Sequence, residues 1–248
     1  MAGPLLHIDD SAGKLGTVDV ENSVVKIIGD TGRILTDIAF NNAGNLFSIS
    51  FDQLFSANKS TAATTLIGNY GSGISLNSLV FDANGTLYAA NNSLYSIDTS
   101  TGRANSILSD GNNPVSYNSS GDLAFVAGGL FLSSAIGADS LVRIDPANGA
   151  GTAVSSIGCA SVFGLTSNDN INLFSVSGTE IPRIDTSTGA GAAVLNYAGR
   201  GLSAANGPAF FAEARAVPPV TDIPEPASIA LLCLGLLACA APRGKSRK

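Results

Sequence analysis

The chain repeats itself about every forty residues, and that period excludes most ways in which it could fold. Four segments align on an apolar-Asp step followed by a turn. They are residues 15–29 (LGTVDVENSVVKIIG), 94–107 (LYSIDTSTGRANSI), 141–154 (LVRIDPANGAGTAV) and 181–194 (IPRIDTSTGAGAAV). A weaker copy, residues 54–68, has Asn58 where the others have Asp. The equivalent positions Asp19, Asn58, Asp98, Asp145 and Asp185 are spaced by 39, 40, 47 and 40 residues. A second motif falls between these copies, in residues 35–47, 76–88, 123–131 and 162–174, with a degenerate copy at 202–211. It reads as an apolar strand, an Asn/Asp/Gly turn, then Leu with an aromatic.

Each unit therefore reads as four short strands. The Asn84-Gly85 step supplies positive φ and closes the first hairpin. Residues 87–90 form the second strand, 94–98 the third, and 106–108 the fourth, after the Thr-Gly turn. Runs this short, rich in aromatic and β-branched residues and punctuated every 8–12 residues, predict an all-β chain. A period near forty with four strands per unit is the signature of a β-propeller blade. A stacked β-solenoid is the runner-up, but its repeats are shorter. The blades resemble those of bacterial propellers with an LYxIDxxTG repeat, kept best at residues 94–102. Residues 5–9, 15–20 and 24–29 read as strands two to four of a blade, and 202–211 as its first strand. Joined, the two ends complete a fifth blade and remove open sheet edges. The expectation is a propeller of about five four-stranded blades over residues 1–213.

The last 26 residues are of another kind. A linker (214–222) holds Pro218 and Pro219 and leads to a tail (223–248). The tail opens on Pro224, Glu225 and Pro226, which force an extended backbone. Residues 227–241 then carry no charge, and Arg243, Lys245, Arg247 and Lys248 close the chain. As a helix the apolar run spans about 22 Å, short of the ~30 Å hydrocarbon core. Snorkelling and bilayer thinning would cover part of the gap, and the basic end would sit on the cytoplasmic side. A short C-terminal transmembrane helix is expected there.

This three-part order resembles the PEP-CTERM sorting signal of Gram-negative bacteria. Pro224, Glu225 and Pro226 fall on the motif that names the family, and Ile223 stands where Val is usual. The resemblance implies an exported precursor anchored transiently in the inner membrane. It also implies recognition and tail removal by an exosortase, with delivery of the body to the outer surface. Such proteins enter the secretory route through an N-terminal signal peptide. This chain begins MAGPLLHIDDSAGK, without a basic region or an apolar stretch. The expectation is a native start further upstream.

Charge divides along the same boundary. Residues 1–224 carry nine Lys/Arg against eighteen Asp/Glu, and residues 225–248 carry four against one. An acidic body argues against nucleic acid. One cysteine, Cys159, precedes the tail, so no disulfide forms within the body, and a small buried apolar role is expected for it. The Asp-containing turns offer Ca²⁺-like donors, but an Asp that caps its own turn explains them better. No metal ligand and no cofactor is assigned. The only histidine, His7, would have to serve any Ser-His-Asp triad alone. The pair Asp9-Asp10 would gain a chemical role by meeting other acids at the central channel, but solvation in a turn is the expectation. Phe47, Tyr88, Phe131 and Phe174 recur at one position and are expected to pack between blades.

These readings predict an exported, non-enzymatic propeller of the cell surface or extracellular matrix, in adhesion or carbohydrate binding, with extracellular polysaccharide as partner. The alternative is an extracellular propeller lyase or hydrolase acting on polysaccharide. Carboxylates converging at one channel mouth would favour the enzyme; a mouth of small and apolar residues would favour binding.

Overall fold

The computed structural model describes residues 4–107, 117–135, 139–159 and 161–213. The chain divides into two units, Met1–Pro218 and Pro219–Lys248. The linker, the Pro224-Glu225-Pro226 motif, the 227–241 span and the basic end all lie outside the described residues.

Among the described residues, twenty strands form five four-stranded antiparallel sheets. Blade I holds β4 (Asp37–Phe40), β5 (Leu46–Ile49), β6 (Gln53–Ala57) and β7 (Thr64–Asn69). Blade II holds β8 (Ser78–Phe81), β9 (Leu87–Ala90), β10 (Leu94–Ile97) and β11 (Ala104–Ser106). Blade III is β12 (Ser119–Val126), β13 (Gly129–Ser134), β14 (Ser140–Ile144) and β15 (Gly151–Ser156). Blade IV is β16 (Val162–Ser167), β17 (Leu173–Ser177), β18 (Glu180–Ile184) and β19 (Gly191–Asn196). The fifth blade is composite: β20 (Ala205–Phe210) pairs with β1 (Leu5–Asp10), followed by β2 (Lys14–Asp19) and β3 (Val24–Asp30). Both ends of the body thus share one sheet, as the repeat predicts. One boundary moves: the fourth strand of blade II begins at Ala104, directly after the turn, rather than at Ser106.

Burial falls from the axis outward, as radial sheets require. Every residue of β4 and β8 is buried, because each lies between two neighbouring sheets. The fourth strands β3, β7 and β19 are largely exposed or half-buried. The innermost strands β4, β8, β12, β16 and β20 touch in a closed ring. Between blades, the recurrent aromatics form a ladder. Phe47 meets Phe81 of the next blade at 5.2 Å, Tyr88 meets Phe125 at 5.8 Å, and Phe174 meets Phe210 at 5.8 Å. Phe131 packs with Leu165 and Leu173 of blade IV. In the composite blade, register puts His7 in the slot of Phe47, where it meets Phe40 edge-on at 4.8 Å. Burial lowers its pKa to about 4, so at neutral pH it is an uncharged ring in an aromatic position.

The outer turns are uniform. Backbone amides two or three residues on donate to the Oδ1 atoms of Asp19, Asn58, Asp98, Asp145 and Asp185, at 2.8–3.1 Å. The fourth residue after each cap takes the left-handed conformation: Ser23, Ala62, Gly102, Gly149 and Gly189, with φ between 57° and 77°. These caps are filled by the protein's own backbone. Among the described residues, no group of three His, Cys, Asp or Glu is placed to hold a metal ion.

Candidate binding site at the channel mouth

Strand register aligns five residues around the axis: Gly207, Asp37, Ser78, Asp122 and Gly164. All five are buried. The two Asp side chains staple adjacent blades. Asp37 accepts the amide of Ile38 in its own strand (2.7 Å) and that of Leu79 in blade II (2.5 Å). Asp122 accepts Leu123 (2.5 Å) and, across the next boundary, Leu165 in blade IV (2.8 Å). Ser78 turns back on its own blade, bonding the backbone of Ala90. At Gly207 any side chain would overlap the Asp37 carboxyl, so the glycine makes room for the staple.

The carboxyls form a chain of neighbours through the channel. Burial, then the facing Asp122, holds Asp37 well above the usual carboxylate range. Burial does the same to Asp122. Two facing acids in a dry interior cannot both ionise, so a proton stays with the pair. Asp9, across the ladder from Gly207, is pushed up to about 8 by burial. Neither of its oxygens has a well-formed hydrogen bond, although the Gly207 amide and the Asn206 side chain lie near. Glu213, past the far end of β20, is also raised, by burial and then by Asp122. Thr166 Oγ1 donates to its Oε2 at 2.6 Å, and Oε1 has no well-formed hydrogen bond, although the amides of Ser167 and Phe125 lie near the carboxyl.

The expectation for Asp9-Asp10 is corrected here. Both are 1% exposed. They end β1, the second strand of the composite blade, rather than lying in an open turn. Asp10 caps the turn that follows, accepting the amides of Ala12, Lys14 and, from the other end of the body, Ser203. The expectation for Cys159 is met halfway: it is half-buried, a free thiol packed against the boundary of blades III and IV.

One step outward from the ring lie Asn206, Thr36, Asn77, Gly121 and Phe163. All five line a cavity of about 300 Å³ at the channel mouth, with Ile34, Leu35, Phe51 and Ser120. Ile34 (56%), Phe51 (58%) and Phe163 (42%) are among the most exposed apolar side chains described. Asn77 Nδ2 is held by Ser119 O (2.9 Å) and Asn206 Nδ2 by Leu35 O (2.9 Å). Asn77 Oδ1 and Ser120 Oγ are buried without partners. Each such atom costs roughly 1–3 kcal/mol until something bonds it. The carboxyls gather inside the channel wall, while the described residues of the mouth are apolar or neutral. Nothing in single-residue patterns marks Asn77 or Ser120; the ring position does, once the blades are aligned.

At the opposite ends of the same strands a second cavity, about 540 Å³, is lined by Leu5, His7, Phe40, Lys59 and Phe211. Lys59 Nζ donates to Gly44 O (2.8 Å) and lies 5.9 and 5.8 Å from the rings of Phe40 and Phe211.

Among solved structures, a protein of unknown function from Bacteroides thetaiotaomicron is 17% identical, with a TM-score of 0.55. The match covers 78% of this chain and 55% of that one, so this chain spans about half its length. A gluconolactonase from Xanthomonas campestris is 16% identical, with a TM-score of 0.52, over 79% of this chain and 77% of that one. Identities this low speak for the fold alone. No curated protein matches the sequence. Residues 222–245 match the family model of the PEP-CTERM protein-sorting motif. The chain is a five-blade β-propeller that carries a C-terminal PEP-CTERM sorting motif.

Proposed function

We propose that the protein is a non-catalytic propeller, exported and sorted to the cell surface or extracellular matrix, where it works as a binding module. The match of residues 222–245 to the sorting motif carries the reading. On it, Pro224, Glu225 and Pro226 are the exosortase recognition motif, and residues 227–241 anchor the precursor in the inner membrane. Arg243, Lys245, Arg247 and Lys248 hold the end on the cytoplasmic side, and the tail is then removed. A mouth whose described residues include no charged group, above the Asp37 and Asp122 carboxyls already committed to backbone amides, supports binding rather than chemistry. Expression of the gene in a Gram-negative host with an exosortase, followed by fractionation and mass spectrometry of the C-terminus, tests this. Loss of the tail near Pro226 with the body at the surface supports it; an intact tail held in the inner membrane refutes it.

One observation favours the enzymatic alternative. Asp9, with its unpartnered oxygens and its pKa near 8, sits beside Asn206 of the mouth and would suit a general acid in a polysaccharide hydrolase. A gluconolactonase shares the fold. Release of reducing ends from polysaccharide, abolished by Asp9→Asn, would establish that reading in place of the first.

A further inference from the structure

We propose that the channel mouth binds a neutral saccharide, seated between Phe51 and Phe163 and hydrogen-bonded to Asn77 and Ser120. The inference rests on the binding-module reading and names its ligand class. Three features of the mouth select that class.

The first is amphipathic shape. Two phenyl rings and Ile34 stand exposed around a cavity of about 300 Å³, at the small end of ligand pockets. Its floor is amide and hydroxyl. A pyranose has the matching form: a face of C–H groups for an aromatic ring, and an edge of hydroxyls that both donate and accept. A purely apolar ligand would leave the floor unbonded.

The second is the unpartnered pair. Asn77 Oδ1 and Ser120 Oγ are buried and empty-handed. The Asn77 amide is already oriented, because its Nδ2 is held by Ser119 O. An acceptor fixed in this way waits for a donor such as a sugar hydroxyl.

The third is charge. Among the described residues, no Lys, Arg, His, Asp or Glu lines the mouth. Below it, Asp9 and the Asp37–Asp122 pair retain protons at neutral pH. The body carries nine positive against eighteen negative side chains. A uronate or sulfated polymer would meet no cation here and would be repelled by the body as a whole.

The test uses the full chain in a polyoxyethylene detergent, whose headgroup is not a sugar. Calorimetry and saturation-transfer NMR would be run with cellohexaose, mannohexaose and chitohexaose, and with an alginate hexamer as the charged probe. Saturable binding of at least one neutral hexasaccharide is expected, with alginate inert. Phe51→Ala and Phe163→Ala should each weaken it about tenfold at an unchanged thermal midpoint, and Ser120→Ala a few-fold at a midpoint that is not lowered, because its hydroxyl has no partner in the free protein. All three side chains are exposed or half-buried, so these variants should fold. No binding by any neutral probe overturns the proposal. So does binding that survives the double Phe51→Ala/Phe163→Ala variant, or alginate binding as tightly as the neutral probes. Delivery is read separately: a Phe51→Ala chain that still reaches the surface but has lost the sugar implicates the mouth and leaves sorting intact.

Discussion

The outer turns and the inner ring use the same residue for opposite ends. In the turns of blades II and IV, Asp98 and Asp185 are exposed and keep their negative charge below the usual carboxylate range. The hydroxyls of Ser100 and Ser187 hold them there first, helped by the amides of the same residues. In the channel, Asp37 and Asp122 also accept two amides each, yet burial pushes them well above that range. Both sets cap backbone. Solvent makes the difference: a carboxylate that keeps its water gains from each donor, whereas one stripped of water gives up its charge first. A turn that repeats in all five blades is a folding device. A ring that changes from Gly to Asp to Ser around the axis is particular to this chain, and the mouth above it inherits that asymmetry.

The largest effect expected from this contrast is the pH dependence of stability. Asp9, Asp37, Asp122 and Glu213 have raised folded pKa values. Their stabilisation is complete below the ordinary carboxylate pKa and is lost as pH rises through the folded values, about 8 for Asp9. His7 works the other way. Its stabilisation is complete above the ordinary imidazole value and is lost as pH falls toward about 4. Four groups outweigh one, so the thermal midpoint should drop steadily between pH 5 and 8.5, which calorimetry would show. A flat profile would mean that the channel carboxyls are ordinary after all.

Next comes the staple itself. Asp37→Ala strands the buried amides of Ile38 and Leu79 and should cost roughly 2–6 kcal/mol. Asp37→Asn keeps one acceptor and the neutral state, and should lose clearly less. Urea unfolding of the two variants separates a structural carboxyl from a merely buried one; equal losses would count against the protonated pair.

The smallest effect lies in the outer turns. Ser23 holds the left-handed position that glycine occupies in blades II, III and IV. Ser23→Gly should stabilise by about 0.5–1 kcal/mol. Gly102→Ala should destabilise by more than that gain, because its Cβ would press on the backbone of Gly68 at 2.6–2.8 Å. Denaturant midpoints would check both signs. A stabilising Gly102→Ala would break the equivalence of the five turns.

The outer architecture was legible in the sequence because it repeats. The LYSIDTSTG period gave the blades, their turns and the closure through residues 5–9 and 202–211. The aromatic ladder followed from Phe47, Tyr88, Phe131 and Phe174, and even His7 falls into that register. The inner ring was not legible, because its residue changes from blade to blade, from Gly207 to Asp37, Ser78, Asp122 and Gly164. Asp37 sits in LTDIAF and Asp122 in GDLAF, and in sequence each looks like any acidic residue at a strand start. Asp9 was read as solvated because two adjacent acids in a strand are costly; in the fold Asp9 is buried beside Gly207 with a raised pKa, and Asp10 caps the turn that follows. The mouth depends on residues from all five blades, which only closure of the ring brings together.

The most direct test of the contrast is a ¹³C NMR titration of the carboxyl carbons in the folded protein. Asp98 and Asp185 should titrate below the usual carboxylate range, Asp9 near 8, and Asp37 and Asp122 well above the usual range as a coupled pair. If all five titrated together near 4, turn and channel would be alike, and the account of the inner ring would be wrong.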